Sequence, residues 1–174
     1  GNEFGHPEWV DFPREGNGWS YRHARRQWSL VDHAELKYRQ LAAFDRAMLE
    51  CAGRTAVLGA DAPCLHHLHE EHKILAFRRG PLYFLFNFHP ERSFADYWLD
   101  APPGEYTLVL DTDAEEFGGH ARLAPRQRYR TSPGGHGAAG HRLQAYLPAR
   151  SACVLRHATR ASSGTRTTQG VTDR

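Results

Sequence analysis

Apolar and polar positions alternate through much of the second half of the chain, which is the period of β-strands. The stretches KILAFRRG (73–80) and PLYFLFNFHP (81–90) are two strand candidates, and Arg79-Gly80-Pro81 between them is typical of a hairpin turn. EYTLVLDTD, HRLQAYLP and SACVLRH supply three further candidates. Short strands separated by Gly and Pro predict an antiparallel β-sandwich.

The strand near residue 84 is apolar on nearly both faces. Side chains alternate across a strand, so one face carries Leu82, Phe84 and Phe86 and the other carries Tyr83, Leu85 and Asn87. This composition predicts a central strand that is covered on both sides.

A helical period appears earlier, over residues 32–50. Asp32 is a candidate N-cap, and Glu35 follows three residues later as in a capping box. Gly53 is a candidate C-cap. The apolar face at helical spacing consists of Leu36, Leu41, Phe44 and Met48.

Residues 1–31 have no clean period and are rich in aromatic, charged, Gly and Pro residues. We expect a long ordered loop followed by a short helical turn, and long ordered loops are usually functional. Sugars are bound by carboxylates, amides and Arg through their hydroxyls and by Trp and Tyr through their apolar faces. Alternatively, the aromatic residues only fix the loop and the charges face water. The residue types that fit a sugar site are Glu3, His6, Glu8, Trp9, Asp11, Arg14, Trp19 and Tyr21.

Two other sequences invite a catalytic or metal interpretation. A retaining glycosidase holds two carboxyls about 5–5.5 Å apart, but the proximity of Glu3 and Glu8 in sequence does not establish that geometry. In HHLHEEH, only two residues separate the last His pair, whereas zincins need three, and a strand would bring only His67 and His69 to one face. A solvated histidine cluster is favoured, and we expect no metal or cofactor.

Composition narrows the function classes. The 174 residues carry a formal net charge of +2 with scattered Lys and Arg, which gives no reason to expect nucleic acid. No apolar run approaches the roughly 18–20 residues that span a bilayer. Three widely spaced cysteines, Cys51, Cys64 and Cys153, favour reduced thiols and a cytoplasmic protein. Residues 158–174, rich in Ser, Thr, Arg and Gly, predict a disordered tail.

Long ordered segments of the chain resemble one family. GNEFGHPEWVDFPREGNGWSYRHARRQWSLVD, LKYRQLAAFDRAM, HKILAFRRGPLYFLFNFHPERSFADYWL and LVLDTDAEEFGGHARL are similar, in the same order, to segments of 1,4-α-glucan branching enzymes of the α-amylase superfamily, of the type shared with eukaryotic glycogen and starch branching enzymes. The resemblance covers about residues 1–156.

The resemblance implies a mostly β fold with an N-terminal α segment. Residues 1–53 would be the end of a (β/α)8 barrel, namely the loop after the eighth strand and the last helix. Residues 54–157 would be a C-terminal antiparallel β-sandwich, and residues 158–174 the tail. The abrupt opening at Gly1 leads us to expect a C-terminal piece of a longer enzyme.

The resemblance also implies the activity of the whole enzyme. An Asp nucleophile and a Glu acid–base would cleave an α-1,4 bond and transfer the segment to a 6-hydroxyl, forming an α-1,6 branch. The family's catalytic Asp, Glu and Asp have no counterparts here, so no catalytic role is assigned and the chain alone is predicted to be inactive. The expected partners are an α-glucan and the missing barrel portions, with no nucleic acid and no membrane.

The loop residues that match the family supply the candidate glucan-binding set. An alternative is a stand-alone, non-catalytic β-sandwich that binds glucan or serves a structural role. The predicted set is Asn2, Glu3, His6, Trp9, Arg14 and Tyr21.

Overall fold

The computed structural model describes residues 1–7, 11–135 and 140–158. Within these ranges the two α-helices come first and nine strands follow, so the predicted mostly β fold with an N-terminal α segment is confirmed at that level. The helices are α1 (Ser29–Asp32) and α2 (Tyr38–Thr55), with 3-10 turns at Asn2–Phe4, Glu15–Asn17, Val57–Gly59 and Glu115–Phe117. The strands are β1 (Cys64–His69), β2 (Ile74–Arg79), β3 (Leu82–Asn87), β4 (Phe94–Asp100), β5 (Glu105–Asp111), β6 (Arg128–Arg130), β7 (Ser132–Pro133), β8 (His141–Leu147) and β9 (Ser151–Ala158).

The strands form two antiparallel sheets. The larger has the order β1-β2-β3-β9-β5-β6, and the smaller has the order β4-β8-β7. Buried side chains from both sheets meet in one core, as an antiparallel sandwich requires. Its most deeply buried members include Ile74, Ala76, Tyr83, Leu85, Leu99, Tyr106, Leu143 and Leu155.

The β2–β3 hairpin has the register that the alternating pattern predicts. Arg79 pairs with Leu82 beside the turn, and Gly80 has φ of 54°, a left-handed conformation that glycine adopts without steric cost. Strand β3 pairs with β2 on one side and β9 on the other, so its predicted central position is confirmed. Its outer face is only half covered at Phe84 and Phe86.

Asn87, at the end of β3, ties the two sheets together. Its side chain is buried, and its Nδ2 donates to the carbonyl oxygens of Arg92 at 2.9 Å and of Leu147, in β8, at 3.0 Å. Its Oδ1 accepts from the backbone N–H of His89 at 2.9 Å. A buried amide with its hydrogen bonds satisfied fixes the relative position of the strands around it.

The predicted bounds of the long helix were wrong at both ends. Asp32 is the last residue of α1 rather than an N-cap, because His33 is extended with φ of −73° and ψ of 115°. Helix α2 starts at Tyr38, whose ring lies 6.4 Å from the buried ring of Phe4. Gly53 lies inside α2, and Ala56 is the left-handed C-cap residue with φ of 51°. Tertiary packing has overridden the local capping signals.

The N-terminal segment packs on the sandwich at two places. Phe44 of α2 meets Phe117 edge to face, with ring centroids 5.4 Å apart. Beyond the end of α2, Val57 is buried against Leu82 and Val154 on the outer face of the larger sheet. These contacts attach α2 and the turn after it to the sandwich.

Candidate functional site

The polar-aromatic loop near the N-terminus is organised by the side chain of Asn17. Its Nδ2 donates to Asp11 Oδ2 and to the carbonyl oxygen of Phe12, both at 3.0 Å. Its Oδ1 accepts the backbone N–H groups of Arg14 at 3.0 Å and Ser20 at 3.3 Å. Asn side chains commonly close turns in this way, which explains an ordered loop without a sheet or long helix.

Asp11 completes this network. Its Oδ1 lies 3.0 Å from Arg14 Nε, and its backbone N–H donates to the carbonyl oxygen of His23 at 3.1 Å. The hydrogen bond from Asn17, and after it the one from Arg14, holds the pKa of the Asp11 carboxyl below its ordinary value. The loop therefore carries an ionised carboxylate and a guanidinium side by side.

Around this polar centre the loop exposes large aromatic side chains. Phe12, Trp19, Tyr21 and Trp28 are 69%, 66%, 70% and 58% exposed. Trp19 follows Gly18, and both residues adopt left-handed φ values, of 59° and 62°, as the chain reverses. Exposed aromatic faces beside charged and amide groups can stack on apolar ring faces while the polar groups bind hydroxyls.

The six predicted site residues lie in different parts of the N-terminal segment and differ in exposure. Asn2 and Glu3 lie in the first 3-10 turn, where Asn2 is exposed and a Glu3 oxygen is 2.8 Å from the amino group of Gly1. Arg14 and Tyr21 lie in the Asn17-centred loop and are exposed. Trp9 lies outside the described residues.

His6 is buried between the two parts of this segment. Its Nε2 accepts the backbone N–H of Gln27 at 3.1 Å, and its ring meets Phe4 edge to face at 5.7 Å. Phe4 also lies 5.2 Å from the Trp28 ring. His6 Nδ1 is buried without a hydrogen-bond partner in the described part of the chain. His6 thus joins residues 1–7 to residues 26–28.

Sequence reasoning missed the residue that organises the loop and several of its aromatic surfaces. Asn17 was not singled out, although Gly16-Asn17-Gly18 is a turn signal that could have identified it. Phe12 and Trp28 were also absent from the predicted set. The Phe12 carbonyl oxygen accepts from Asn17, and the Trp28 ring lies 5.2 Å from Phe4; the sequence pattern does not reveal either contact.

A cleft of about 460 Å³ lies in the sandwich beside Asp113 and Arg122. Asp113 accepts four hydrogen bonds, from the backbone of His120 and Arg122 and from Arg122 Nε and Nη2 at 2.8 and 2.9 Å. Arg122 also donates to the carbonyl oxygen of Ala149 at 3.1 Å. The side-chain bonds from Arg122 lower the pKa of Asp113 to about 2. Asp113 is buried and Arg122 is half-buried, and because the two charges pair with each other, we interpret them as a structural ion pair in the wall of this cleft.

The described residues offer neither a metal site nor a membrane-spanning helix. Within residues 1–7, 11–135 and 140–158, no group of three or more His, Cys, Asp or Glu side chains is arranged to hold a metal ion. None of the helices in those ranges has the length and apolar character needed to cross a bilayer.

The chain matches one family model and is similar to several curated proteins. Residues 65–158 match the family model described as "Alpha amylase, C-terminal all-beta domain". The chain is 44% identical over 158 residues to the 1,4-alpha-glucan-branching enzyme of Rhizophagus irregularis and 45% identical over 158 residues to that of Felis catus. It is 47% identical over 136 residues to the chloroplastic/amyloplastic 1,4-alpha-glucan-branching enzyme of Oryza sativa subsp. japonica.

These matches cover most of this chain and a small part of each relative. They include 90% of this chain for the first two relatives and 78% for the third. The chain spans 23% of the length of the first two and 17% of the third. The resemblance to 1,4-α-glucan branching enzymes is therefore confirmed, and the chain belongs to the family of alpha-amylase C-terminal all-beta domains.

Proposed function

We propose that this chain is the C-terminal part of a 1,4-α-glucan branching enzyme. The observation that carries the proposal is the extent of the similarity. The domain model matches residues 65–158, whereas the aligned region of the branching enzymes covers 158 residues and therefore takes in much of the N-terminal loop and α2 as well. A shared all-β domain alone would not account for that additional likeness.

The proposed activity of the whole enzyme is cleavage of an α-1,4 glucan segment and its transfer to a 6-hydroxyl, as in glycogen biosynthesis. The nucleophile and the acid–base group lie outside this chain in the proposal, so the 174 residues alone are inactive. Its own contribution is to bind and orient glucan and to support the catalytic barrel.

Glucan contact is assigned to the Asn17-centred loop and the first turn. Tyr21 and Trp19 present exposed rings on which glucose units can stack, and Arg14 offers guanidinium donors to hydroxyls. His6, buried against Gln27, positions the segment that carries Asn2 and Glu3. The proposed glucan-binding set remains Asn2, Glu3, His6, Trp9, Arg14 and Tyr21, in which His6 acts by positioning the segment rather than by touching sugar.

Residues 1–53 are proposed to be the end of the (β/α)8 barrel, and the missing barrel portions are the protein partner. The exposed apolar side chains of α2 support this assignment. Leu41 is 44% exposed, Met48 41% and Leu49 60%, and no residue of α2 is fully buried. An apolar helix face of this kind is normally covered by another element.

The remaining assignments concern location and boundaries. We place the sandwich domain at 54–157 and the tail at 158–174; Ala158 ends β9, and residues 159–174 lie outside the described residues.

A cytoplasmic location is supported by three free cysteines, Cys51, Cys64 and Cys153. The rice relative is chloroplastic/amyloplastic by name, so the location differs among relatives.

Binding of maltoheptaose to the 174-residue chain tests the role of the loop. Trp19→Ala and Tyr21→Ala should each weaken the affinity about tenfold, roughly 1.4 kcal/mol, because each removes a stacking surface. Trp98→Ala is the matched control, since Trp98 is also exposed but belongs to β4. Equal loss in the control, or unchanged affinity in both loop variants, would contradict the assignment.

Branching activity separates this proposal from a self-sufficient enzyme. The 174-residue chain should leave the iodine stain of amylose unchanged, and a chain extended by a complete barrel should reduce it. Formation of α-1,6 branches by the 174-residue chain would refute the placement of catalysis elsewhere.

A further inference from the structure

The cleft beside Asp113 and Arg122 opens at one end of the larger sheet, and we call it the sandwich cleft. Three loops surround it, namely the loop after β3, the loop after β5 and the loop between β8 and β9. Its volume of about 460 Å³ lies within the range of about 300–1,000 Å³ that is typical of small-molecule sites. The side chains used in the argument below belong to the lining residues Glu91, Thr112, Phe117, His120 and Arg150.

Hydrogen bonds within the protein hold all three loops in place. The Asn87 side chain fixes the backbone of the loop after β3. Asp113 and Arg122 tie the loop after β5 back onto itself. In the third loop, Arg150 Nε donates to the carbonyl oxygen of Pro90 at 2.6 Å. Because the protein itself orders these walls, a ligand need not fix them, and binding loses little conformational entropy.

Several polar side chains at the sandwich cleft have hydrogen-bonding capacity that the fold does not use. Among the described residues, the Glu91 carboxylate and the His120 imidazole have no hydrogen-bond or ion-pair partner, and only their backbone N–H groups are bonded. The Thr112 hydroxyl oxygen accepts the backbone N–H of Ala152 at 2.8 Å, which leaves the hydroxyl proton to donate. The cleft therefore offers both donors and acceptors to a ligand.

The charges around the sandwich cleft favour a neutral ligand. The acidic and basic lining residues, apart from histidine, are two acids and two arginines: Glu91, Asp113, Arg122 and Arg150. A charged ligand of either sign would meet as much like charge as opposite charge. Hydroxyl groups both donate and accept, so they can use a carboxylate and a guanidinium together. Phe117 adds an apolar ring, which is the second feature that a sugar site needs.

The sandwich cleft also lies beside α2. Phe117 meets Phe44 of α2 edge to face at 5.4 Å, and a Cβ built on the lining residue Gly118 would lie 3.0 Å from the Gln40 side chain. The proposed function assigns α2 to the end of the barrel, so the cleft is next to a proposed domain boundary. Ligand sites are frequent at such boundaries.

We propose that the sandwich cleft is a further glucan-binding site, which holds a short segment of an α-1,4-glucan chain. The contacts and charges identify a neutral ligand rich in hydroxyl groups. The choice of an α-1,4-glucan among such ligands rests on the proposed function. The site shares no residue with the Asn17-centred loop, and a polymer held in the cleft stays near that loop at a raised effective concentration.

NMR titration of the isotope-labelled 174-residue chain with maltotriose tests the site residue by residue. The backbone amide signals of Gly118, Gly119 and His120 should shift together and saturate, with a Kd of about 1 mM. Cellotriose, in which the glucose units are joined by β-1,4 bonds, should bind about tenfold more weakly. The absence of a shift at these amides up to about 10 mM maltotriose, or equal affinity for both sugars, would overturn the proposal.

Variants identify the side chains that bind the sugar. Glu91→Ala and His120→Ala should each raise the Kd at the cleft about tenfold, because each removes a hydrogen-bonding group. Both side chains are exposed, so the fold should tolerate their removal. The control is Glu116→Ala, since Glu116 is an exposed acid in the turn Glu115–Phe117 and does not line the cleft. An equal loss in the control, or an unchanged Kd in both cleft variants, would refute the assignment.

The same titration separates this inference from the proposed role of the loop. Trp19→Ala should weaken the shifts at the Asn17-centred loop and leave those at the sandwich cleft unchanged. Shifts at the loop without shifts at the cleft would overturn the further site and leave the proposed function standing. Shifts at the cleft without shifts at the loop would support the further site and contradict the role proposed for the loop.

Discussion

Two carboxylates separated by one residue show how local contacts set the chemistry of a buried acid. Burial is the main influence on Asp111 and raises its pKa, although its Oδ1 accepts the Asp113 backbone N–H at 2.9 Å. Asp113 is also buried, yet the two bonds from the Arg122 side chain lower its pKa to about 2. At Asp113 the hydrogen bonds from the charged Arg122 side chain lower the pKa more than burial raises it. Among the described residues, Asp111 has no such charged hydrogen-bond partner, so burial decides the direction of its pKa shift.

Replacing Asp113 by Asn should destabilise the sandwich at neutral pH and much less in acid. The pKa of Asp113 is about 2 in the fold against 3.8 ordinarily, so its ionised form contributes on the order of 2.5 kcal/mol to the free energy of unfolding above about pH 4. That contribution is lost as the pH falls from about 4 to about 2. Urea unfolding at pH 7 and pH 2.5 measures both values.

The control for this substitution is the exposed ion pair of Glu105 and Arg130, whose side chains are 52% and 79% exposed. Glu105→Gln should cost less than about 1 kcal/mol at pH 7, because exposed pairs are solvated and screened. An equal cost for Asp113→Asn and Glu105→Gln would contradict the assignment of Asp113 as a buried anchor.

At the scale of single elements, α2 ends on an uncommon residue. Ala56 occupies the left-handed C-cap position with φ of 51°, where a Cβ is sterically unfavourable. Ala56→Gly should raise the free energy of unfolding by about 0.5–1 kcal/mol. Thermal or urea unfolding of the purified variant tests this directly.

The control is a Gly→Ala substitution at Gly80, where the backbone has nearly the same left-handed φ as at Ala56. Gly80, in the β2–β3 turn, has φ of 54°, and a Cβ built there would lie 3.0 Å from the Ala60 side chain. Gly80→Ala should lower stability by about 1 kcal/mol or more. If Ala56→Gly were destabilising while Gly80→Ala was neutral, the steric account of both positions would be wrong.

The elements differ in how far the sequence could predict them. Strands β2 and β3 follow from two-residue alternation around Gly80, and both are correct. Strand β4 was missed because its register shifts between Phe94 and Tyr97, which breaks the alternation. The start of α2 was misplaced because Phe4, more than thirty positions upstream of Tyr38, contributes to the packing there. Local patterns cannot carry that information.

The contrast between local pattern and long-range packing also applies to the N-terminal loop centred on Asn17. Its aromatic and charged composition suits either a sugar-binding site or a loop whose aromatic residues only fix its shape, and Arg14 and Tyr21 are exposed in it. The place of His6 inside the segment depends on the hydrogen bond from Gln27, which is 21 residues away in sequence. Composition predicts which chemistry is available, whereas long-range packing decides which groups reach the surface.

For the whole molecule, helix α2 and the β-sandwich differ in burial, so their backbone amides should differ in protection from hydrogen exchange. Helix α2 contains no buried residue, whereas the sandwich has a continuous core from both sheets. Amides of residues 38–55 should therefore exchange at least tenfold faster than those of β3 and β9, because local opening of α2 exposes little apolar surface. Hydrogen exchange monitored by mass spectrometry on the 174-residue chain measures both regions together.

This comparison also tests the proposed barrel partner. In a chain extended by the complete barrel, protection of residues 38–55 should rise while that of β3 and β9 changes little. Equal protection of both regions in the 174-residue chain would count strongly against a helix that lacks part of its packing.

The three cysteines differ sharply in exposure, and this gives the molecule a built-in chemical handle. Cys153 is buried, and burial raises the pKa of its thiol to about 12; burial also raises the pKa of the half-buried Cys51. Cys64 is exposed at the start of β1. A maleimide fluorophore should therefore attach first at Cys64, on an edge strand of the larger sheet, so that the sandwich can be labelled at one site without any substitution.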